Sequence, residues 1–171
     1  MNKLLIIVDM QNDFIDGALA NPAAQAVVPN LVNFVNSWDG SIWVTLDTHT
    51  EEYLTSQEGK LLPIAHCIIG TQGHQLNPDL ETAIKDKLDY AIMKQTFGFA
   101  DWRQLDLDTQ FEEVTLVGTC TDICVVSNVL AIKAAYPELK VTVIEDLCAG
   151  LSPEKHAAAI EVMRSCQVNI I

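Results

Sequence analysis

The stretch Val114-Thr-Leu-Val-Gly118-Thr-Cys120-Thr-Asp-Ile-Cys124-Val125 is an apolar, β-branched run that breaks at a glycine and restarts with a cysteine soon after. The residues before Gly118 have the pattern of a buried strand, and Asp122 to Ala135 carries apolar residues at helical spacing, so the turn between them reads as a strand-to-helix elbow. A cysteine in a helix's first turn sits among unpaired backbone N–H groups at the positive end of the macrodipole. That setting lowers a thiol's pKa and makes Cys124 a candidate nucleophile. The same N–H groups can hold an oxyanion. The alternative is that Cys124 is a small buried hydrophobe, and the segments around the elbow decide between the two.

Four more strands and a short sixth follow from similar runs. Leu4 to Val8 is continuously apolar, as in a strand covered on both faces, and it ends at Asp9, followed by the polar loop Met10-Gln-Asn-Asp13 and the aromatic Phe14. A carboxylate at the end of a buried strand is costly unless it is paired or used, although an aspartate can also cap the following turn. Pro22 to Trp38 is helical in spacing and Ser41 to Leu46 is the second strand, with Asp47 where it ends. Asn77 to Leu88 reads as a helix and Asp89 to Met93 as the third strand, followed by Lys94. A lysine at a sheet rim commonly snorkels to solvent. Gln95-Thr-Phe97-Gly98-Phe99 supplies two aromatics that can wall a pocket or pack a loop. Glu113 to Val117 is the fourth strand and Lys140 to Ile144 the fifth. Ser152-Pro153-Glu154 starts a helix running to about Ser165, and Val168 to Ile171 is the last strand.

The long segment after the second strand carries three of the four histidines, His49, His66 and His74. Asp47 and His49 alternate along the chain, so a persisting strand points them to one side, within reach of one ion. With His66 they form a candidate donor set for zinc, or for iron or manganese, and Glu58 can add a carboxylate oxygen. His74 reads as solvated and Cys67 as buried packing; Cys148 and Cys166 have no catalytic context.

Composition bounds the rest. The formal net charge of −13 argues against nucleic acid or an anionic membrane as partner. Five cysteines without framework spacing suit a reducing compartment, and no signal peptide or long apolar span is visible, so the expected location is cytoplasmic. Nothing divides the chain, so residues 1–171 read as one domain. Alternating strands and helices call for a parallel sheet with helices on both faces, and ligands of such sheets bind beyond the carboxyl ends of the strands. Asp9, Asp47, Lys94 and the Cys124 elbow follow four different strands at that edge. Their joint placement points to an enzyme.

These residues resemble the cysteine hydrolases of the isochorismatase-like superfamily, and among them most the nicotinamidases. The matching stretches are Ile7-Val-Asp9-Met-Gln-Asn-Asp-Phe14, Asp47-Thr-His49, His66-Cys-Ile-Ile-Gly-Thr71, Lys94 and Gly118-Thr-Cys-Thr-Asp-Ile-Cys-Val125. The resemblance implies an α/β fold, a three-layer αβα sandwich with a six-stranded parallel sheet in the order 3-2-1-4-5-6. It implies a catalytic triad of Asp9, Lys94 and Cys124, and an oxyanion hole from the backbone N–H groups of Cys120 and Cys124 beside a cis Thr119–Cys120 bond. It further implies one divalent metal, zinc with iron or manganese as alternatives, held by Asp47, His49 and His66 with Glu58 a fourth candidate. Phe14 and Phe97 are the expected substrate walls. The implied activity is hydrolysis of a small amide, nicotinamide to nicotinate and ammonia, through a Cys124 thioester, and a homo-oligomer is a family-level expectation. Leu62-Pro63-Ile64 stands where nicotinamidases commonly carry a tryptophan, so another small amide, carbamoyl or ureido compound is the alternative substrate. A thiol redox protein using Cys120 and Cys124 is a different reading; it leaves Lys94 and the histidines without roles.

Overall fold

The computed structural model describes residues 2–171. Its elements in chain order are β1 (Lys3–Val8), α1 (Asn12–Ile15), α2 (Pro22–Ser37), β2 (Ser41–Asp47), α3 (Gln57–Leu61), α4 (Pro78–Ile84), β3 (Leu88–Lys94), α5 (Leu107–Gln110), β4 (Glu113–Thr119), α6 (Val126–Ala135), β5 (Lys140–Ala149), α7 (Pro153–Ser165) and β6 (Asn169–Ile170). The strands form one six-stranded sheet in the order β3-β2-β1-β4-β5-β6, and every pairing is parallel. The order reverses between β1 and β4. That is the switch point beyond which a crevice opens in such sheets.

The uninterrupted apolar run of β1 is explained by its central place, because its side chains feed two cores. Leu4, Ile6 and Val8 join the layer containing Val129, Ile132, Ile160 and Met163 from α6 and α7. Leu5 and Ile7 join Val27, Leu31, Leu80 and Ile84 from α2 and α4 on the other face. Asn21 and Ser152 cap α2 and α7 by accepting from Ala23 N and Lys155 N, each with a proline in the first turn. No helix among the described residues is long and apolar enough to cross a membrane.

Four boundaries differ from the sequence reading, each for a local reason. The helix after Asn77 stops at Ile84 instead of Leu88, and Lys87 turns back so that its Nζ donates to the carbonyls of Val35, Asn36 and Trp38 at the end of α2. β3 is a sheet edge that leaves Leu88, Tyr90 and Met93 exposed, yet it ends on a fully buried Lys94. That lysine does not snorkel. β5 continues past Ile144 to Ala149 because its pairing with β4 breaks after Val143 and resumes with Gly118 opposite Cys148. The intervening Glu145 N–H turns to Ile171 O, and the polar Glu145-Asp146 pair hides the strand's second half from a search for apolar runs. The fourth difference lies at the elbow and shapes the site.

Candidate active site

Gly118 ends the straight part of β4 with a φ of +120°, and a Cβ there would lie 2.2 Å from Val8 O. Only glycine lets β4 lie so close to β1 at the switch point. The Thr119–Cys120 peptide that follows is cis. The chain then enters a widened turn, not the regular helix read from the apolar spacing. Thr121–Val125 forms a π-helical turn in which Val125 N–H reaches back five residues to Cys120 O at 3.0 Å, and regular α-helix begins only at Val126. Turns of this kind recur at functional sites because they re-aim a side chain. Here the re-aimed side chain is Cys124, whose Sγ lies 3.8 Å from Lys94 Nζ.

Lys94 and Asp9 complete a buried group. Asp9, one residue past β1, takes a left-handed φ of 49°, a region that aspartate tolerates better than most residues. Thr45 Oγ1 donates to its Oδ1 at 2.6 Å. Lys94 Nζ lies 2.6 Å from Oδ2, so a buried, charge-assisted ion pair occupies that oxygen. Burial pushes the Asp9 carboxyl above its ordinary value, against the pull of the Lys94 charge. Burial opposes the Lys94 charge, but Asp9, Cys124 and Asp47 together move its pKa up.

The Cys124 thiol does not have the lowered pKa expected from the sequence. Burial and the Asp9 carboxylate together push it well above the ordinary thiol range, more than Lys94 pulls it down. A solvated helix terminus would favour the thiolate, whereas this one is closed off beside a carboxylate. Cys124 rests as a thiol beside the Asp9 carboxyl.

The expected donor set also assembles. His49 Nε2 lies 3.0 Å from Asp47 Oδ2 and His66 Nε2 lies 3.4 Å from it, while Glu58 Oε1 stands 3.8 Å from both imidazole nitrogens. These separations straddle the roughly 3.4 Å between donor atoms that each sit about 2.1 Å from a tetrahedral ion. His66 Nδ1 donates to Ile64 O at 2.8 Å, which turns the Nε2 lone pair towards the two carboxylates. One ligand atom each from Asp47, His49 and His66 lies within 4.8 Å of the others, so the set fits a divalent metal. Burial opposes ionisation of Asp47, yet the hydrogen bonds from His49 and His66 hold its carboxyl well below the usual range. Burial likewise opposes protonation of His66, and Asp47 and Glu58 more than offset it.

Several supporting residues had no catalytic or metal-binding role in the sequence reading. Gln11 lies buried beneath Asp47, accepting from its N–H at 2.7 Å and donating to its carbonyl at 2.9 Å. Asp13 accepts from Cys67 N at 2.7 Å and so ties the β1 loop to the histidine loop. Tyr53 packs its ring against both His49 and His66. His74 is not simply solvated: its Nε2 lies 2.8 Å from Thr48 Oγ1, and burial pulls its pKa down. Cys67 is fully buried, as the sequence suggested.

Cys124 and part of the donor set border one cavity of about 490 Å³, lined by Phe14, Leu62, Phe97, Cys120, Ile123, Cys124 and Leu151 together with Asp47, Glu58 and His66. Phe14 stands edge-on to His66 with ring centroids 5.6 Å apart. Phe97 is half exposed at the cavity's lip. A mostly apolar chamber with a thiol on one wall and a cation-binding set on another suits a small planar molecule bearing a polar group.

The chain belongs to the isochorismatase family, whose isochorismatase domain matches residues 3–171. It is 30% identical to the nicotinamidase/pyrazinamidase of Mycobacterium tuberculosis, over 99% of this chain and 98% of that protein. It is also 30% identical to an Arabidopsis thaliana protein described as a probable inactive nicotinamidase, over 98% of this chain and 90% of that one. The crystal structure of a nicotinamidase/pyrazinamidase from Bacillus subtilis superposes with a TM-score of 0.86 at 25% identity, covering 99% of each chain.

Proposed function

We propose that the protein hydrolyses a small aromatic amide of the nicotinamide type, releasing ammonia through a thioester on Cys124. One observation carries this reading: the buried Lys94 Nζ stands 2.6 Å from Asp9 Oδ2 and 3.8 Å from the sulfur of Cys124, which lines an apolar cavity. A relative described as inactive at the same identity means that similarity alone does not establish turnover.

The chemistry follows from the resting protonation states. Asp9 takes the thiol proton as substrate enters, while Lys94 holds the charge of the group. The thiolate forms a bond to the amide carbon, and the carbonyl π pair moves to oxygen. Backbone N–H groups of Cys120 and Cys124 are assigned to hold that oxyanion. The C–N bond then breaks as Asp9 returns the proton to nitrogen, and ammonia leaves a thioester. Asp9 next takes a proton from water, hydroxide adds to the thioester, and the C–S bond breaks as sulfur recovers the proton. The sum is amide plus water to carboxylic acid plus ammonia. Asp47, His49 and His66, with Glu58, would hold a divalent ion, zinc being the first candidate, which when bound supplies a positive anchor for a ring nitrogen or a water beside it. Phe14 and Phe97 would sandwich the ring, and Leu62 adds apolar wall where related enzymes commonly carry tryptophan.

Purified protein supplied with zinc, manganese or iron should release ammonia from nicotinamide, and Cys124→Ala should not. Absence of release from the wild type, with release from another small amide or ureide, would move the substrate and keep the chemistry. A stable Cys120–Cys124 disulfide under mild oxidation, with no amide cleaved, would favour the redox reading.

A further inference from the structure

The π turn that carries Cys124 is held from behind by a residue outside the cavity. His156, in the first turn of α7, places its Nδ1 2.9 Å from the Thr121 hydroxyl, and Thr121 is fully buried at the start of that turn. The next residue, Asp122, accepts from Leu151 N at 2.9 Å through its Oδ1, and Leu151 lines the cavity wall facing the nucleophile. Between these two bonds lies Gly150, where a Cβ would come within 2.8 Å of His156 Cβ and 3.0 Å of Asp122 Oδ1. The β5–α7 junction is therefore packed directly onto the two residues that open the π turn. On its other side His156 Nε2 lies 3.8 Å from Glu145, a half-exposed carboxylate that is also 3.8 Å from Arg164, so the Thr121 contact is the ring's one hydrogen bond among the described residues.

We infer that His156 is a positioning residue for the nucleophile, acting through Thr121 to fix the turn that aims Cys124. The inference rests on the reading of Cys124 as nucleophile. The turn has an irregular backbone and begins without a side-chain cap, so neighbouring elements must supply the constraint a regular helix would provide. A hydroxyl-to-imidazole bond at a fully buried threonine is such a constraint, and losing it leaves a buried hydroxyl without its partner. Displacement of a nucleophile by a fraction of an ångström lowers the rate of attack and leaves ring binding in the cavity unchanged.

The test compares His156→Ala, His156→Asn and Thr121→Val in the full chain with zinc supplied. Asparagine can place an amide atom where Nδ1 stands, so it should restore what alanine loses. The expected result is a kcat lower by about tenfold or more in His156→Ala and Thr121→Val, with KM within about twofold. The double variant should be no worse than either single one, and His156→Asn should stay near wild type. Amide hydrogen exchange across residues 119–128 should quicken by about tenfold in the two disabled variants and recover in His156→Asn. Unchanged kcat and unchanged exchange in His156→Ala would overturn the inference. If the wild type releases no ammonia, the amidase reading fails, and the exchange data alone still decide whether His156 holds the turn.

Discussion

Lys94 Nζ lies 2.6 Å from Asp9 Oδ2, and both side chains are closed off from solvent. Such a pair is weak as a source of stability, yet breaking it strands a buried charge at a cost of about 3–5 kcal/mol. Lys94→Met should therefore destabilise strongly, and the loss should depend on pH. Asp9 already has a raised pKa, and without the lysine it rises further. A carboxyl whose folded pKa exceeds its unfolded value contributes stability in acid and loses it as pH rises through the folded value. Urea unfolding at about pH 5 and pH 8 should show the gap to wild type widening with pH. A gap that narrows would contradict the pairing.

The same pair governs the nucleophile's reactivity. Because burial and Asp9 hold the Cys124 thiol up while Lys94 pulls it down, Asp9→Asn should lower its pKa. Alkylation of Cys124 by iodoacetamide, followed by peptide mass spectrometry, should need alkaline pH in the wild type and proceed faster near neutrality in Asp9→Asn. Turnover should be lost in that variant all the same, since no group remains to carry the proton. Cys120, pushed up to about 11 by burial, is an internal reference in the same digest. Equal alkylation profiles for the two proteins would refute the assigned role of Asp9.

The sheet and its reactive edge were legible because parallel strands buried on both faces announce themselves as continuous apolar runs, and Asp9, Asp47 and Lys94 interrupt those runs where they end. What stayed hidden depends on contacts distant in sequence. Gln11 looks like any polar loop residue until Asp47 is folded above it. The direction of the Cys124 shift was misjudged because position in a turn indicates the macrodipole, whereas the degree of closure and the distance to Asp9 are tertiary facts. The π turn was read as helix for a similar reason: one extra residue in a turn hardly disturbs apolar spacing over a short window.

The proposed function gives metal binding and nucleophilic attack to separate side chains, so they should separate on mutation. His49→Ala and His66→Ala should each lose a bound divalent ion, measured by elemental analysis after dialysis, whereas Cys124→Ala should keep it. Glu58, farther from both imidazoles and partly exposed, should cost less affinity than either histidine when changed to alanine. Equal metal loss in Cys124→Ala and His49→Ala would sink the division of labour.

Asn128 links the nucleophile to the core and to the cavity's aromatic rim. Its Oδ1 accepts from Phe99 N at 2.9 Å and Trp102 Nε1 at 3.1 Å, and its Nδ2 donates to Cys124 O at 2.8 Å and Phe97 O at 3.2 Å. The side chain is fully buried, so all four of its hydrogen-bonding capacities are used without water. Asn128→Leu keeps the branched heavy-atom outline and abandons two donors and two acceptors inside the protein. At roughly 1–3 kcal/mol for each stranded group, partly relieved by relaxation, the expected loss is about 3 kcal/mol or more. For a chain of this size that lowers the melting temperature by about 6–12 °C. Asn128→Asp retains the acceptors but loses both donations and buries a charge, so it should be no better. Because one donation anchors the carbonyl of Cys124 and another the loop bearing Phe97, kcat should fall in both variants below their melting transitions. A stable, fully active Asn128→Leu protein would show that the network serves neither purpose.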